Sequence, residues 1–247
     1  MIAILSPAKD MVPAEAPGLP LSEPAYPQET RRLLAALREL SPWQLESLLK
    51  LSPELALRAF DLHQRFDEAR PSPALLSFSG LAYRQMDPGT FTREELLFAD
   101  QSLRILDAFY GLLRPLDGIR PYRLELQCKF RLDGENLYSF WGGRIHRDLF
   151  RPGEPVVNLA SGEFSRLVTA HLAPSDPFLT CDFLVRRRGK LLCLATAAKM
   201  ARGRMARFLV QNRLSNPRDL REFSWGGFAF APALSSQRRY VFLREPD

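Results

Sequence analysis

Helix start signals and strand-forming runs are segregated along this chain, which limits it to folds in which helices pack on a sheet built mostly from later segments. Before residue 100, Ser41-Pro42, Ser52-Pro53 and the capping box Thr92-Arg93-Glu94-Glu95 each set a hydroxyl ahead of a proline or carboxylate in a first helical turn. Apolar spacing is helical from Glu29. After Thr92, residues Leu96, Ala99, Leu103, Leu106, Tyr110 and Leu113 recur at intervals of three and four, which predicts one helix of about five turns. Strand candidates are residues 1–5, 74–79, 155–160, 178–186, 190–196 and 240–244, with Arg187-Arg188-Gly189 as a hairpin turn between two of them. Further helices are expected over 165–171 and 196–214. The prediction is an α+β (mixed α/β) architecture: a single compact domain over residues 1–247 with a mixed sheet and flanking helices.

With 247 residues, 46% of them hydrophobic, the chain can bury a core without disulfide or metal staples. No apolar run approaches the ~18 residues of a membrane span, and no charged leader precedes Met1–Leu5, so a soluble cytoplasmic protein with no membrane partner is expected. Cys128, Cys181 and Cys193 are too far apart for C-x-x-C chemistry, and His63, His146 and His171 lack metal-ligand spacing. Neither G-x-G-x-x-G nor a Walker-type lysine loop occurs, so no cofactor and no metal are expected. Ser6-Pro-Ala-Lys9 matches the acyl-transfer S-x-x-K signature, but its companion K-T-G and S-D-N segments are missing. Ser6 capping a helix that starts at Pro7 explains the same residues and leaves Lys9 at the end of the first strand.

The formal net charge of +6 makes polyanions natural partners if the cations cluster. Two segments do so. In residues 109–126, Gly111 stands where a left-handed helix cap would sit, Pro115 and Pro121 restrict the turn, and Arg114, Arg120 and Arg123 project from it. The alternative there is a structural corner whose arginines pair with Asp117 and Glu125. In residues 196–214, Ala198, Ala201, Met205, Phe208 and Leu209 share one helical arc, and Lys199, Arg202, Arg207 and Arg213 the adjoining one, with Arg204 nearby and no acidic residue. Here the alternative is a solvated basic face. Gly203 in such a helix indicates that something approaches the backbone closely. Phe140-Trp141 and Trp225, each before Gly-Gly, could stack bases or simply pack a core.

Ser6-Pro-Ala-Lys9, Phe78-Ser-Gly-Leu-Ala-Tyr83, Tyr110-Gly-Leu-Leu-Arg-Pro-Leu-Asp117, Pro121-Tyr-Arg-Leu-Glu125, Phe140-Trp141, Val157-Asn-Leu-Ala-Ser161 and Ala198-Lys-Met-Ala-Arg-Gly203 through Leu214 together resemble the YaaA family of peroxide stress resistance proteins. The resemblance runs from the first strand to about Phe230. It implies a protein of the oxidative stress response to hydrogen peroxide that serves iron homeostasis by lowering unincorporated intracellular iron, and that binds DNA. It also implies a basic cleft and a helix-hairpin-helix-like element, placed here at about residues 94–126. On this reading Lys9, Arg114, Arg120, Arg123, Lys199, Arg202, Arg204 and Arg207 contact DNA phosphates, selecting shape rather than sequence. The alternative is an enzyme acting on a small phosphorylated or nucleotide substrate. Lys9, Arg123 and Lys199 would then hold the anion, with Glu125 or Ser161 near the reacting group.

Overall fold

The structure, a computed structural model, describes residues 1–16, 18–150 and 154–245; Pro17 of the proline-rich stretch lies outside them. A nine-stranded mixed sheet forms the centre. Its strands are β1 (Ile2–Leu5), β2 (Leu103–Asp107), β3 (Gly111–Leu113), β4 (Val156–Asn158), β5 (Phe178–Arg187), β6 (Lys190–Leu192), β7 (Ser224–Trp225), β8 (Phe228–Phe230) and β9 (Arg239–Arg244). In space they run β7-β8-β9-β5-β4-β1-β2-β3, with β6 paired to the far end of β5. Five of them are mutually parallel: β2-β1-β4-β5-β9. In chain order these are the second, first, third, fourth and fifth parallel strands, so the order reverses between β1 and β4.

The helices are α1 (Pro27–Arg38), α2 (Pro42–Leu49), α3 (Pro53–Gln64), α4 (Leu81–Met86), α5 (Arg93–Ser102), α6 (Leu137–Trp141), α7 (Arg144–Leu149), α8 (Gly162–Thr169) and α9 (Ala195–Gln211). Three of them start where the sequence indicates. Ser41 and Thr92 close reciprocal capping boxes with Gln44 and Glu95, and the Ser52 hydroxyl accepts from the Leu55 amide.

Several local expectations are corrected. The predicted five-turn helix stops at Ser102, and Leu103 turns extended. Residues 103–113 are an almost unbroken apolar run, which suits a β-hairpin lying beside β1 as well as it suits a helix face. The segment 94–126 is therefore a helix, a β-hairpin and an irregular run, not a helix-hairpin-helix. Gly111 does adopt the left-handed region (φ 77°), but inside the hairpin, and a Cβ there would stand 2.6 Å from the Trp141 ring. Residues 74–79 open with a helical turn, Ala74–Ser77, and only Phe78–Ser79 is extended, paired with Asp10–Met11. The 190–196 strand ends at Leu192 because α9 begins at Ala195. No helix follows Ser6, so it caps none.

Two aromatic clusters pack against different parts of the sheet. Around β2 and β3, Phe109 stacks on Tyr122 at 4.7 Å, and buried Trp141 packs on Tyr26 while its Nε1–H donates to the Ala108 carbonyl at 2.9 Å. Around β5 and β9, Phe183 stacks on Phe242 at 5.3 Å with Phe223 and Phe228 edge-on. Phe140 and Trp141 are therefore core residues.

His63 on α3 is fully buried, with Nε2 3.1 Å from the Arg123 carbonyl. Burial lowers its pKa to about 4, against the upward pull of that carbonyl. The unfolded imidazole titrates near 6.5, so the neutral native form contributes stability above about pH 6.5. That contribution is lost as the pH falls toward 4, at up to about 1.4 kcal/mol per pH unit. Urea titrations between pH 7.5 and 4.5 should show this loss, and His63→Leu should flatten that part of the profile. An identical profile in the variant would remove His63 as the cause.

Candidate anion-binding site

The carboxyl ends of β1 and β4 lie side by side at the point where the strand order reverses, the crevice in which open α/β sheets bind ligands. Ser6 follows β1, and Ser161 follows β4 at the N-terminal boundary of α8, its hydroxyl making no cap bond to that helix. The Ser161 amide donates to Ser6 Oγ at 2.9 Å, and Ser6 Oγ donates to Ser161 Oγ at 3.2 Å, tying together loops 155 residues apart. The Tyr83 hydroxyl of α4 donates to the Ser6 carbonyl at 3.0 Å. The loop after β1 is held down by the short ladder to Phe78–Ser79 and by contact with Gly80, where a Cβ would stand 2.9 Å from Ala8 Cβ.

A cavity of about 430 Å³ opens here, within the ~300–1,000 Å³ range of small-molecule sites. Lys9, Lys199 and Arg202 line it with Ser6, Ser161 and Glu163. Arg202 and Gly203 lie three and four residues after Lys199 on α9, and of the three Gly203 packs against α4. The close approach at Gly203 is that of α4 itself: a Cβ at Gly203 would lie 2.0 Å from the Ala82 carbonyl oxygen. Burial lowers the pKa of the Arg202 guanidinium, and its Nε is buried with no hydrogen-bond partner among the described residues. Burial raises the Glu163 carboxyl, opposed by the nearby Lys9 and Lys199 ammonium groups. A larger cavity of about 580 Å³, between α1, α2 and residues 127–131, lies away from these strand ends.

Of the eight cations expected to contact phosphate, three therefore converge: Lys9, Lys199 and Arg202. Arg123 borders them through Glu125, which takes the Arg123 guanidinium at 2.8 Å and the Lys9 ammonium at 3.2 Å. The other four lie outside the cavity lining. Arg114 pairs with Asp100 in a separate groove that includes Ile2, at the opposite end of β1. Arg120 donates to the Ala69 carbonyl at 2.9 Å and covers the Phe66 ring. Arg204 donates to Gln85 at 2.9 Å and lies over Trp225. Arg207 donates to the Met86 and Asp87 carbonyls and to Thr90. The structural-corner alternative thus describes Arg123, paired with Glu125, while Asp117 takes the Arg114 backbone amide rather than its guanidinium.

Sequence reasoning missed Glu163, Tyr83 and Phe164 as cavity residues, and Ser6 as the partner of Ser161. The one signal in the residues was that Ser6 and Ser161 each follow a short buried run. Among the described residues no group of three or more His, Cys, Asp or Glu side chains comes together as a metal site, and no helix is long and apolar enough to cross a membrane.

The chain is similar to known proteins along nearly its full length. The chain is 36% identical over 247 residues to a UPF0246 protein of Agathobacter rectalis, covering 99% of each chain. It is 39% identical over 245 residues to a UPF0246 protein of Lactiplantibacillus plantarum, covering 98% of this chain and 99% of the relative. A UPF0246 protein of Clostridioides difficile is 33% identical over 248 residues, covering 99% of this chain and 100% of the relative. The profile of the family described as "Peroxide stress protein YaaA" matches residues 1–234, and the chain belongs to that family.

Proposed function

We propose that this chain acts in peroxide stress as a DNA-binding protein whose cleft at the β1/β4 strand ends engages backbone phosphates, and that this activity lowers unincorporated intracellular iron. The observation that carries the reading is the convergence of Lys9, Lys199 and Arg202 on one cavity, with the Arg202 Nε lacking a protein partner among the described residues. Lys9 and Lys199 are exposed at its mouth, where a nucleic-acid strand running over the opening meets them. Arg123, Arg204 and Arg207 are held by Glu125, Gln85 and the Met86 carbonyl and position the cleft, while Lys9, although it also reaches Glu125, stays exposed at the mouth.

Fluorescence anisotropy of labelled duplex, bulged and single-stranded DNA between about 50 and 200 mM salt tests this, because each neutralised phosphate adds about 0.9 to the slope of log K against log salt. The Lys9→Ala/Lys199→Ala variant should weaken all three DNAs and flatten the slope by roughly 2, about 1 for each phosphate no longer neutralised. In cells under peroxide the same variant should leave unincorporated iron high. An unchanged slope, or an iron level like that of wild type, would refute the assignment. The cavity's size and its place at the strand-order reversal support a second reading, a small phosphorylated ligand. A thermal-shift panel of sugar phosphates and nucleotides without a hit would exclude it.

A further inference from the structure

We propose that the β1/β4 cavity seats a single nucleotide unit, its base against an apolar wall and its phosphate on the cations at the mouth. The proposal rests on the reading of the cleft as an anion site and names what the inner cavity takes. A volume of about 430 Å³ does not admit a duplex, so what enters beyond the mouth is small. The lining is divided by element. From α4 come Leu81 and Ala82, backed by the buried Tyr83 and Met86, and from α8 comes the partly exposed Phe164, whose ring is the face on which a base stacks. The cations come from elsewhere, Lys9 from the loop after β1 and Lys199 and Arg202 from α9.

Two observations favour a nucleotide over a bare polyanion. The α4 part of the apolar wall is closely packed on α9, with no room at Gly203 for even a methyl group. An inorganic anion gains nothing from such a wall. Glu163 is held among Lys9 and Lys199 inside the same cavity. A carboxylate there repels a ligand that is only negative and accepts from one carrying hydroxyl or amino donors beside its phosphate. The nucleotide unit has two sources: a free nucleotide, or a nucleotide of bound DNA swung out of its stack.

The test uses the full chain. Calorimetric titration with dAMP, deoxyadenosine and inorganic phosphate should give dAMP the tightest binding of the three. Phe164→Ala should weaken dAMP at least about fivefold, the low end of what one base–aromatic stack contributes, while leaving inorganic phosphate within about twofold. Because Phe164 also packs on the core, Glu163→Gln serves as an independent variant and should tighten inorganic phosphate while narrowing its gap to dAMP. In parallel, a duplex with 2-aminopurine opposite an abasic site reports extrusion: rising emission on binding assigns the unit to DNA, and flat emission with dAMP bound assigns it to free nucleotide. Inorganic phosphate binding as tightly as dAMP overturns the proposal, as does the absence of both dAMP binding and an emission change. In those cases a steep salt slope with duplex DNA leaves the phosphate-binding cleft standing alone, and loss of that slope as well removes both readings.

Discussion

Asp107→Ala is expected to cost about 4–5 kcal/mol, a large share of the protein's stability. Asp107 ends β2 and is fully buried. One carboxylate oxygen accepts the Phe109 and Tyr110 amides at 2.8 and 2.7 Å, and the other accepts the Tyr122 hydroxyl. These bonds close the β2–β3 hairpin and fix the Phe109–Tyr122 stack beneath it. Truncation strands two amides and a hydroxyl where water cannot reach, at about 1–3 kcal/mol for each buried group left unpaired, against the ~5–15 kcal/mol by which a domain of this kind is stable. Burial raises the Asp107 carboxyl even with these donors, so the carboxylate is itself destabilised by its site, and removing it recovers part of the sum. Asp107→Asn keeps the acceptor for both amides and should cost much less. Urea unfolding followed by circular dichroism gives the comparison; an Ala variant within about 1 kcal/mol of wild type would show that water or a neighbour satisfies the hairpin.

Gly203→Val is expected to be the most damaging single change in α9, and to abolish ligand binding as well as lower stability. A Cβ at this position would stand 2.0 Å from the Ala82 carbonyl oxygen and 2.8 Å from its carbon. Both are backbone atoms, so no side-chain rotation relieves the clash, and α4 itself must move away. Overpacking of this kind costs about 1–3 kcal/mol and sometimes more, beyond what a helical glycine gives back through propensity, about 1 kcal/mol. Because α4 also supplies the cavity's apolar wall and the Tyr83 hydroxyl that holds the Ser6 carbonyl, its displacement opens the β1/β4 crevice. The expected result is a melting temperature lowered by several degrees, together with loss of DNA and dAMP binding in the folded fraction. Full binding in the variant would mean that the α4–α9 contact does not set the site.

Much of this chain is legible in its residues alone. Ser41, Ser52 and Thr92 start helices because a cap is a local matter, decided between a hydroxyl and an amide three residues on. The apolar arc of α9 is buried at Ala198, Ala201, Met205 and Leu209 for the same reason of short range. Gly111 shows the limit: its left-handed backbone follows from the residue, yet whether it ended a helix or turned a hairpin depended on β1 lying alongside Leu103–Asp107. An apolar run with no pairing partner in view satisfies both periodicities.

The cations show the same division. Composition and spacing located the basic segments, but every arginine on them had equal standing until folding distributed its partners. Asp100, Ala69, Gln85 and Met86 are far in sequence from the guanidinium groups they receive, or sit across a turn whose shape was not local. What the sequence by itself determined is where the three capped helices start, which face of α9 is apolar and that the chain carries surplus positive charge. The tertiary structure alone decided the strand order, the Ser6–Ser161 junction and the choice of Lys9, Lys199 and Arg202 as the converging cations. The physical reason is range: capping and amphipathicity are set by neighbours within a turn, whereas strand order and charge convergence are fixed by burying the whole core at once.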